Sequence, residues 1–343
     1  MKEFNIGPNE AGQRFDKYLM KVLNKAPASF VFKMLRKKNI VLNDKKADGK
    51  EKLNKNDNVK IYLSDDTFDK FSSYMTNRKL TKKEVDLDII FEDDNLLIVN
   101  KPMGLLSQKA DIKDDSINDR CLQYLINKGD VTSDSIKTFK PSICNRLDRN
   151  TTGIIIAGKS LAGLQMMADA LKLRTCHKYY ICIVKGILNK PLSIDGYLYK
   201  DEKNNKVTIS DSKVNEDYYE IETGYFPICN NGHSTLILVN LLTGKPHQIR
   251  AHLASINHPL AGDTKYGDNS FNRHYYNKYS LKNQLLHSYE FVLPEEYNVA
   301  PLFATPDKFT LNIITSEFDN INSDDDLREL VRGIHGNLEK QRT

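Results

Sequence analysis

Three isoleucines in a row, Ile154 to Ile156, lie between Gly153 and Ala157 in the stretch GIIIAGKS. β-Branched side chains are stiff at χ1 and favour extended backbone, so this apolar run is committed to a buried strand. The commitment matters because Gly153 to Ser160 also satisfies the G-x-x-x-x-G-K-[ST] pattern of a phosphate-binding loop. That pattern works only where a glycine-rich backbone can wrap phosphates, and the residues between these glycines are Ile154, Ile155, Ile156 and Ala157. No apolar strand ending in an aspartate that could manage Mg²⁺ follows it. A nucleotide-hydrolysing enzyme is therefore set aside, and Ser160 is expected to open a helix reaching Leu173.

Charge divides the chain ahead of this strand. Residues 1–63 carry fifteen Lys/Arg against seven Asp/Glu, a balance of +8 in a chain whose total is +5. A basic module on a near-neutral body points to a polyphosphate partner, although a merely solvated lysine-rich surface has the same composition. Within it Phe15, Leu19, Val22 and Leu23 recur at helical spacing. A second helix starting near Ser29 turns Phe30, Val31, Met34 and Leu35 inward and Lys33, Arg36, Lys37 and Lys38 outward. Short strands at NIVLND and DNVKIYL complete a small α/β unit. Residues 64–84 are polar, lack a period and read as a linker.

From Val85 the pattern changes to strands separated by turns. DIIFEDDNLLIVNKP reads as a hairpin turning at Glu92 to Asn95, followed by a helix from Ser116 to Ile126. Later strands are expected at YYICIVKG, STLILVNLLTG and SYEFVL, and a basic amphipathic helix from Pro246 through HQIRAHLASI. Residues 321–343 read as a short peripheral helix and a frayed end. The five cysteines are scattered without a CxxC pair, and His247, His252 and His258 have neither a Glu between them at metal-binding spacing nor a carboxylate cluster. Reduced, buried thiols, structural histidines and no metal site are expected. No G-x-S-x-G elbow occurs. No apolar run approaches the roughly 20 residues of a membrane helix, and the N-terminus lacks a signal-peptide pattern, so a cytoplasmic protein is expected.

One charged segment remains. In NRLDRNTTG, extended backbone around Asn145 projects Arg146 and Asp148 from one face, and an arginine that close favours the carboxylate form. Such a carboxylate can act as a nucleophile or base without a cofactor. Spacing alone also fits a surface Arg–Asp pair in a turn.

NRLDRNTTG resembles the HRLD-x-x-TSG signature of the RluA family of pseudouridine synthases, and three further segments fall in that family's order: EDDNLLIVNKPMGL, HKYYICIVKG and LLTGKPHQIRAHLASINHPLAGDTKYG. The front of the chain resembles the S4 RNA-binding domain through RFD (Arg14 to Asp16), IVLND and NDNVKI. The two likenesses together cover about residues 12–315. They imply an α+β protein: a small S4-like α/β domain over residues 1–63, a linker over 64–84, a catalytic domain over 85–320 with a mixed, mainly antiparallel sheet and flanking helices, and a tail over 321–343. They imply isomerisation of uridine to pseudouridine in RNA by breaking the C1′–N1 bond and rejoining through C5, with no cofactor.

By the same resemblance Asp148 is the catalytic aspartate, Tyr180 stacks on the uracil ring, and Arg250 pairs with Asp148. Arg146 fills the space left by the extruded base, and Lys101 and Pro102 belong to a wall of the RNA channel. Arg14, Lys33, Arg36, Lys37 and Lys38 bind RNA. Asp148 could attack C1′, add to the ring or take the C2′ proton. The S4-like front makes large-subunit ribosomal RNA the favoured substrate of a monomeric enzyme, ahead of transfer RNA and ahead of a non-catalytic RNA-binding or ribosome-assembly role. Departures from the signature are Asn145 for His, Thr152 for Ser and Lys245-Pro246 for Arg-Thr, the proline suiting a helix start.

Overall fold

The computed structural model describes residues 1–72, 81–133 and 135–340. The front of the chain runs β1 (Lys2–Asn5), α1 (Phe15–Val22), α2 (Ala28–Arg36), β2 (Ile40–Leu42), β3 (Lys45–Lys46), β4 (Asn58–Ile61) and α3 (Asp65–Phe71). Its four strands form a separate sheet in the order β1-β4-β2-β3. The helical-period residues Phe15, Leu19, Val22, Val31 and Leu35 are buried against Ile40, Val59 and Ile61 of that sheet, giving the unit a core of its own. At roughly 1.5–3 kcal/mol for each large apolar side chain, this burial is what holds two short helices in place.

Helix α3 departs from the linker expected over 64–84. Ser64 caps it by accepting the Thr67 amide, Phe68 is 1% exposed within the front core, and Ser72 Oγ donates to Val22 O at 2.6 Å. The segment looked structureless because seven residues of mixed charge with one buried aromatic show no measurable period. Residues 73–80 of that expected linker lie outside the described residues.

The body follows as β5 (Asp88–Glu92), β6 (Leu96–Lys101), α4 (Ile117–Lys128), α5 (Ser135–Thr138), β7 (Ser142–Ile143), β8 (Thr152–Gly158), α6 (Leu161–Leu173) and β9 (His177–Lys185). It continues through β10 (Leu192–Asp201), β11 (Lys206–Ser210), β12 (Tyr219–Asn230), β13 (Ser234–Leu241), α7 (Gln248–Ser255), α8 (Asn269–Tyr279), β14 (Leu286–Val292), β15 (Leu302–Phe303), α9 (Lys308–Glu317) and α10 (Asp324–Lys340). One eleven-stranded sheet orders these strands β11-β10-β12-β13-β9-β14-β8-β6-β5, with β15 beside β14 and β7 beside β8. Only the β14–β8 pairing is parallel, so the sheet is mixed and mainly antiparallel, as expected.

The isoleucine run is a central strand covered on both faces. Ile155 and Ala157 of β8 join the core that holds Tyr180, Cys182 and Ile249, while Ile154 and Ile156 pack with Met167 and Ala170 of α6 on the other face. Strand β9 divides in the same way: Tyr180, Cys182 and Val184 face one core, Tyr179, Ile181 and Ile183 the other. Ser160 caps α6 by accepting the Gly163 amide at 2.9 Å. GIIIAGKS is thus a strand followed by a helix cap.

Three other expectations change. Helix α7 starts at Gln248 rather than at Pro246, after His247 in left-handed backbone at φ 54°. Nor is α7 a surface amphipathic helix: Gln248 to Leu253 are all buried, because the β10–β11 hairpin lays Leu198 and Val207 over Ala251. The C-terminal segment is a seventeen-residue helix, longer than the short peripheral helix expected there, with Leu327 and Val331 fully buried beneath the sheet. Strands β10 to β12 and helices α8 and α9 carry polar, half-exposed patterns that gave no clear period. Among the described residues no helix is long and apolar enough to cross a membrane. Of the cysteines, Cys121, Cys176 and Cys182 are buried and Cys144 and Cys229 partly so, none in a disulfide.

The parallel join between β14 and β8 rests on Gly153. Its φ is +103°, and a Cβ there would lie 2.1 Å from Ser288 O. Gly104, at φ +81°, has nothing within 4 Å of the same position. Gly153→Ala should therefore cost about 3 kcal/mol or more, combining backbone strain with a clash the sheet cannot relieve, whereas Gly104→Ala should cost only about 1–2 kcal/mol. Urea midpoints of the two variants check this; equal losses would remove the close approach as the cause.

Candidate active site

Asp148 lies in the turn that enters β8. The turn closes with the Thr151 amide donating to Asp148 O at 3.1 Å, and the Asp148 side chain is 28% exposed. Its Oδ2 accepts from Arg250 Nη1 at 2.7 Å, across 102 residues of sequence. Among the described residues Oδ1 has no hydrogen-bond partner. The arginine beside Asp148 in sequence, Arg146, is exposed and forms no ion pair with it among the described residues.

Arg250 is buried on α7, and its remaining donors are taken up by Asp263, with Nε to Oδ2 at 2.7 Å and Nη2 to Oδ1 at 3.0 Å. The Asp263 side chain is fully buried and also accepts the Lys265 and Tyr266 amides at 2.8 and 3.0 Å. Burial works to raise the Asp263 pKa, but the hydrogen bonds and charge of Arg250 and the two amides outweigh it and hold the carboxyl below its ordinary range. Burial likewise opposes the Arg250 charge and is outweighed by Asp263 first and Asp148 second, so the guanidinium is held more firmly protonated than usual. Below its plane the Tyr266 ring lies 5.3 Å away.

His247 completes this side. Nε2 is 4.0 Å from Asp148 Oδ2 and Nδ1 is 2.9 Å from the Tyr266 hydroxyl. Burial lowers the His247 pKa, with Arg250 and Lys265 adding to the effect against the pull of Asp148, so the ring is neutral at pH 7. The Tyr266 oxygen also accepts the Val207 amide at 2.8 Å, so it links His247 to the β10–β11 hairpin.

The turn is clamped from the opposite side by the loop after β6. Ser107 Oγ donates to Leu147 O at 2.7 Å and accepts the Leu147 amide at 2.9 Å. Lys101 Nζ donates to Pro102 O, Leu105 O and Arg149 O at 3.0, 2.8 and 3.0 Å, and the Gly104 amide also reaches Arg149 O at 3.0 Å. Asn145, the departure from His, bridges β8 by accepting the Ile156 amide at 2.8 Å and donating to Ile154 O at 3.1 Å. Thr152, the departure from Ser, bonds His287 Nδ1 at 2.6 Å.

Lys101 is therefore corrected: it is 0% exposed and cannot line an RNA channel. Burial pulls its pKa down to about 8 against the opposing charge of Asp148, and three carbonyl acceptors make the ammonium the form that fits. Tyr180 is buried at 5% exposure on the same core face as Ile155 and Ile249. Burial, with the Asp148 charge adding to it and a Ser288 hydrogen bond opposing, pushes its phenol up to about 12, so it stays protonated. Sequence reasoning assigned nothing to Asp263 and Tyr266, although both stand in the quoted GDTKYG, and set His247 aside as structural. No His, Cys, Asp and Glu cluster able to hold a metal occurs among the described residues.

On the front unit Lys33, Arg36, Lys37 and Lys38 are all exposed, and no ion pair engages them among the described residues. Arg14 differs: its guanidinium forks onto Asp16 at 3.2 and 2.7 Å while remaining half-exposed.

Fold and site define an α+β protein with a carboxylate held at a buried arginine, and the comparisons with known proteins give its class. Residues 95–255 match the RNA pseudouridylate synthase family. The chain is 33% identical over 272 residues to an uncharacterized RNA pseudouridine synthase of Mycoplasma capricolum, covering 78% of this chain and 85% of that one. It is 29% identical over 288 residues to the ribosomal large subunit pseudouridine synthase C of Pasteurella multocida, covering 79% of each. In fold it is similar to human RNA pseudouridylate synthase domain containing 4, with a TM-score of 0.53 at 20% identity over 65% of this chain and 90% of that one. The chain belongs to the RNA pseudouridine synthase family and isomerises uridine to pseudouridine in RNA.

Asp263→Asn removes the charge that anchors Arg250 and leaves a buried guanidinium half-compensated. It should cost about 3–5 kcal/mol in urea unfolding. Release of tritium from [5-³H]uridine-labelled RNA should fall at least about 100-fold, on the scale expected when a positioning contact is lost. Wild-type turnover would show that Arg250 needs no anchor.

Proposed function

We propose that the protein forms pseudouridine in large-subunit ribosomal RNA, with Asp148 as the catalytic carboxylate. The observation that carries this is the 2.7 Å pair between Asp148 and a buried arginine whose other donors are already spent on Asp263. Such a guanidinium cannot swing away to solvent, so it fixes one carboxylate oxygen and leaves the other to meet the extruded nucleotide. Extraction of the uridine from its stack costs a few kcal/mol, which the enclosed site returns by stacking and hydrogen bonding. Tyr180, protonated and rigidly packed, provides the ring face. Arg146, exposed beside Asp148, takes the space the base vacates.

The exposed row Lys33, Arg36, Lys37 and Lys38 on and after α2 meets RNA phosphates, in keeping with the S4-like pattern of residues 1–63. Because α3 shares that unit's core, we draw the unit to Ser72. The catalytic unit takes in α10 as well, since Leu327 and Val331 belong to its core. The ribosomal substrate is supported by the relatives named for the large subunit. Under this reading the enzyme works as a cytoplasmic monomer.

Asp148→Asn should abolish tritium release from total [5-³H]uridine-labelled RNA while changing RNA affinity less than about threefold, since no charge-bearing phosphate contact is lost. Fractionating the labelled RNA should show wild-type release from the large-subunit ribosomal fraction; release from transfer RNA alone would overturn the substrate. The triple variant Lys33→Gln, Arg36→Gln, Lys37→Gln should weaken binding and reduce the slope of log K against log salt by about two. An unaltered slope would remove α2 from the RNA surface.

A further inference from the structure

Where the end of α6, the start of β9, the start of β12 and the loop from β13 to α7 meet, the fold leaves a cavity of about 360 Å³. Its lining includes Arg174, Lys178, Tyr219, Glu220, Gly244 and Lys245. It belongs to the catalytic face. Lys178 stands two residues before Tyr180 on β9, and alternate residues of a strand share a face, about 7 Å apart. Lys245 stands two residues before His247, which is 4.0 Å from Asp148.

The charges in this cavity are unlike those elsewhere in the body. Lys101 has three carbonyls and Lys159 has Glu92 at 2.6 Å, but Lys178, which is partly buried, has no hydrogen-bond or ion-pair partner among the described residues. Its ammonium is therefore free to meet an anion that enters the cavity. Burial lowers the Lys178 pKa, with Arg174 adding to the effect and Cys176 opposing. Gly244 lies beside the ammonium, its Cβ position 3.6 Å from Lys178 Nζ, at ordinary contact distance. Arg174 is already half-neutralised by Glu222 at 3.2 Å, and Glu220 adds one negative charge at the rim, so the unspent cations are Lys178 and Lys245. Lys245 Nζ lies 4.2 Å from the centre of the Tyr219 ring, which is 52% exposed. Lys245 covers one face of the ring, and the exposed remainder of Tyr219 beside two lysines combines a stacking platform with phosphate neutralisation, the pairing that single-stranded RNA requires.

We propose that this cavity is a second nucleotide subsite, in which Lys178 and Lys245 neutralise a phosphate of the RNA strand and Tyr219 stacks the base of a nucleotide flanking the target uridine. The subsite rests on the reading of Asp148 as the catalytic residue of the same cleft. It makes local single-stranded geometry, as well as the uridine itself, part of what the enzyme selects.

The test uses the full chain with total RNA labelled by [5-³H]uridine in cells lacking the gene, so that any natural substrate is present. Tyr219→Ala should raise the half-saturating RNA concentration about tenfold, and Tyr219→Phe, which keeps the ring, should restore it. Lys178→Met and Lys245→Gln should each weaken filter binding and take about 0.7 off the salt slope. Wild-type half-saturation and slope in all of these variants would overturn the subsite, as would a loss of turnover at saturating RNA with half-saturation unaltered. Weakened binding of uridine 5′-monophosphate with RNA binding intact would also overturn it, marking a free-nucleotide site. Should Asp148→Asn keep its activity, the parent reading fails instead; if that variant is inactive while Lys178 and Tyr219 variants bind as wild type, only the subsite fails.

Discussion

A guanidinium taken out of water has to be met by acceptors on every side, and the body of this protein is arranged so that Arg250 is. Asp263 meets two of its nitrogens and Asp148 the third. Removing both charges from water costs several kcal/mol per ion, which mutual attraction offsets only when geometry is good and the leftover lone pairs are used. Those lone pairs are used here, by the Lys265 and Tyr266 amides. The arrangement explains why α7 must be buried although its sequence is polar. Gln248, Arg250 and His252 are not turned to solvent but to partners on β12 and in the loops, Gln248 and His252 both reaching Thr223.

The other half of the constraint comes from the turn. Asp148 belongs to a short loop that would be mobile if left to itself, yet Leu147 and Arg149 on either side of it are bonded to Ser107, Lys101 and Gly104. Asn145 ties the loop's start to β8, and Gly153 admits its end against β14. Arg250 therefore meets a carboxylate whose backbone is already fixed. Two rigid supports, one from the hairpin of β5 and β6 and one from α7, converge on a single 2.7 Å contact. That convergence is what separates the Asp148–Arg250 pair from the surface pair that the local sequence would equally allow, since exposed pairs contribute about 1 kcal/mol or less.

How much of this was legible depended on whether a residue's environment is written next to it. Ile154 to Ile156 announce a strand covered on both faces because each side chain is apolar, and the two cores they enter confirm it. The helix after Ser160 and the hairpin ending at Lys101 were readable for the same local reason. Lys101 itself was not, because a lysine before Pro-x-Gly looks like a surface cation until Leu105 and Arg149 fold over it. Asp263 and His247 were missed likewise: their partners lie 13 and 99 residues away or more, and spacing carries no record of such distances. Helix α3 was hidden by charge, and α10 by following an acidic run that resembles a tail, though Leu327 and Val331 sit at the spacing of one buried helical face.

The basic residues of the chain thus fall into two populations that a charge count merges. Lys101 and Arg250 are enclosed and fully partnered, so salt scarcely touches them, and their role is to hold shape. Lys33, Arg36, Lys37 and Lys38 are exposed, screened within about 8 Å at physiological ionic strength, and suited to collecting a long anionic chain rather than positioning one atom. Under the proposed function, a loss of front-unit charge weakens the encounter without moving Asp148, and a loss of Asp263 moves the Arg250 contact without altering the encounter. The excess of +8 over residues 1–63 is a sign of the first property alone; the second is carried by cations that sequence arithmetic counts as ordinary.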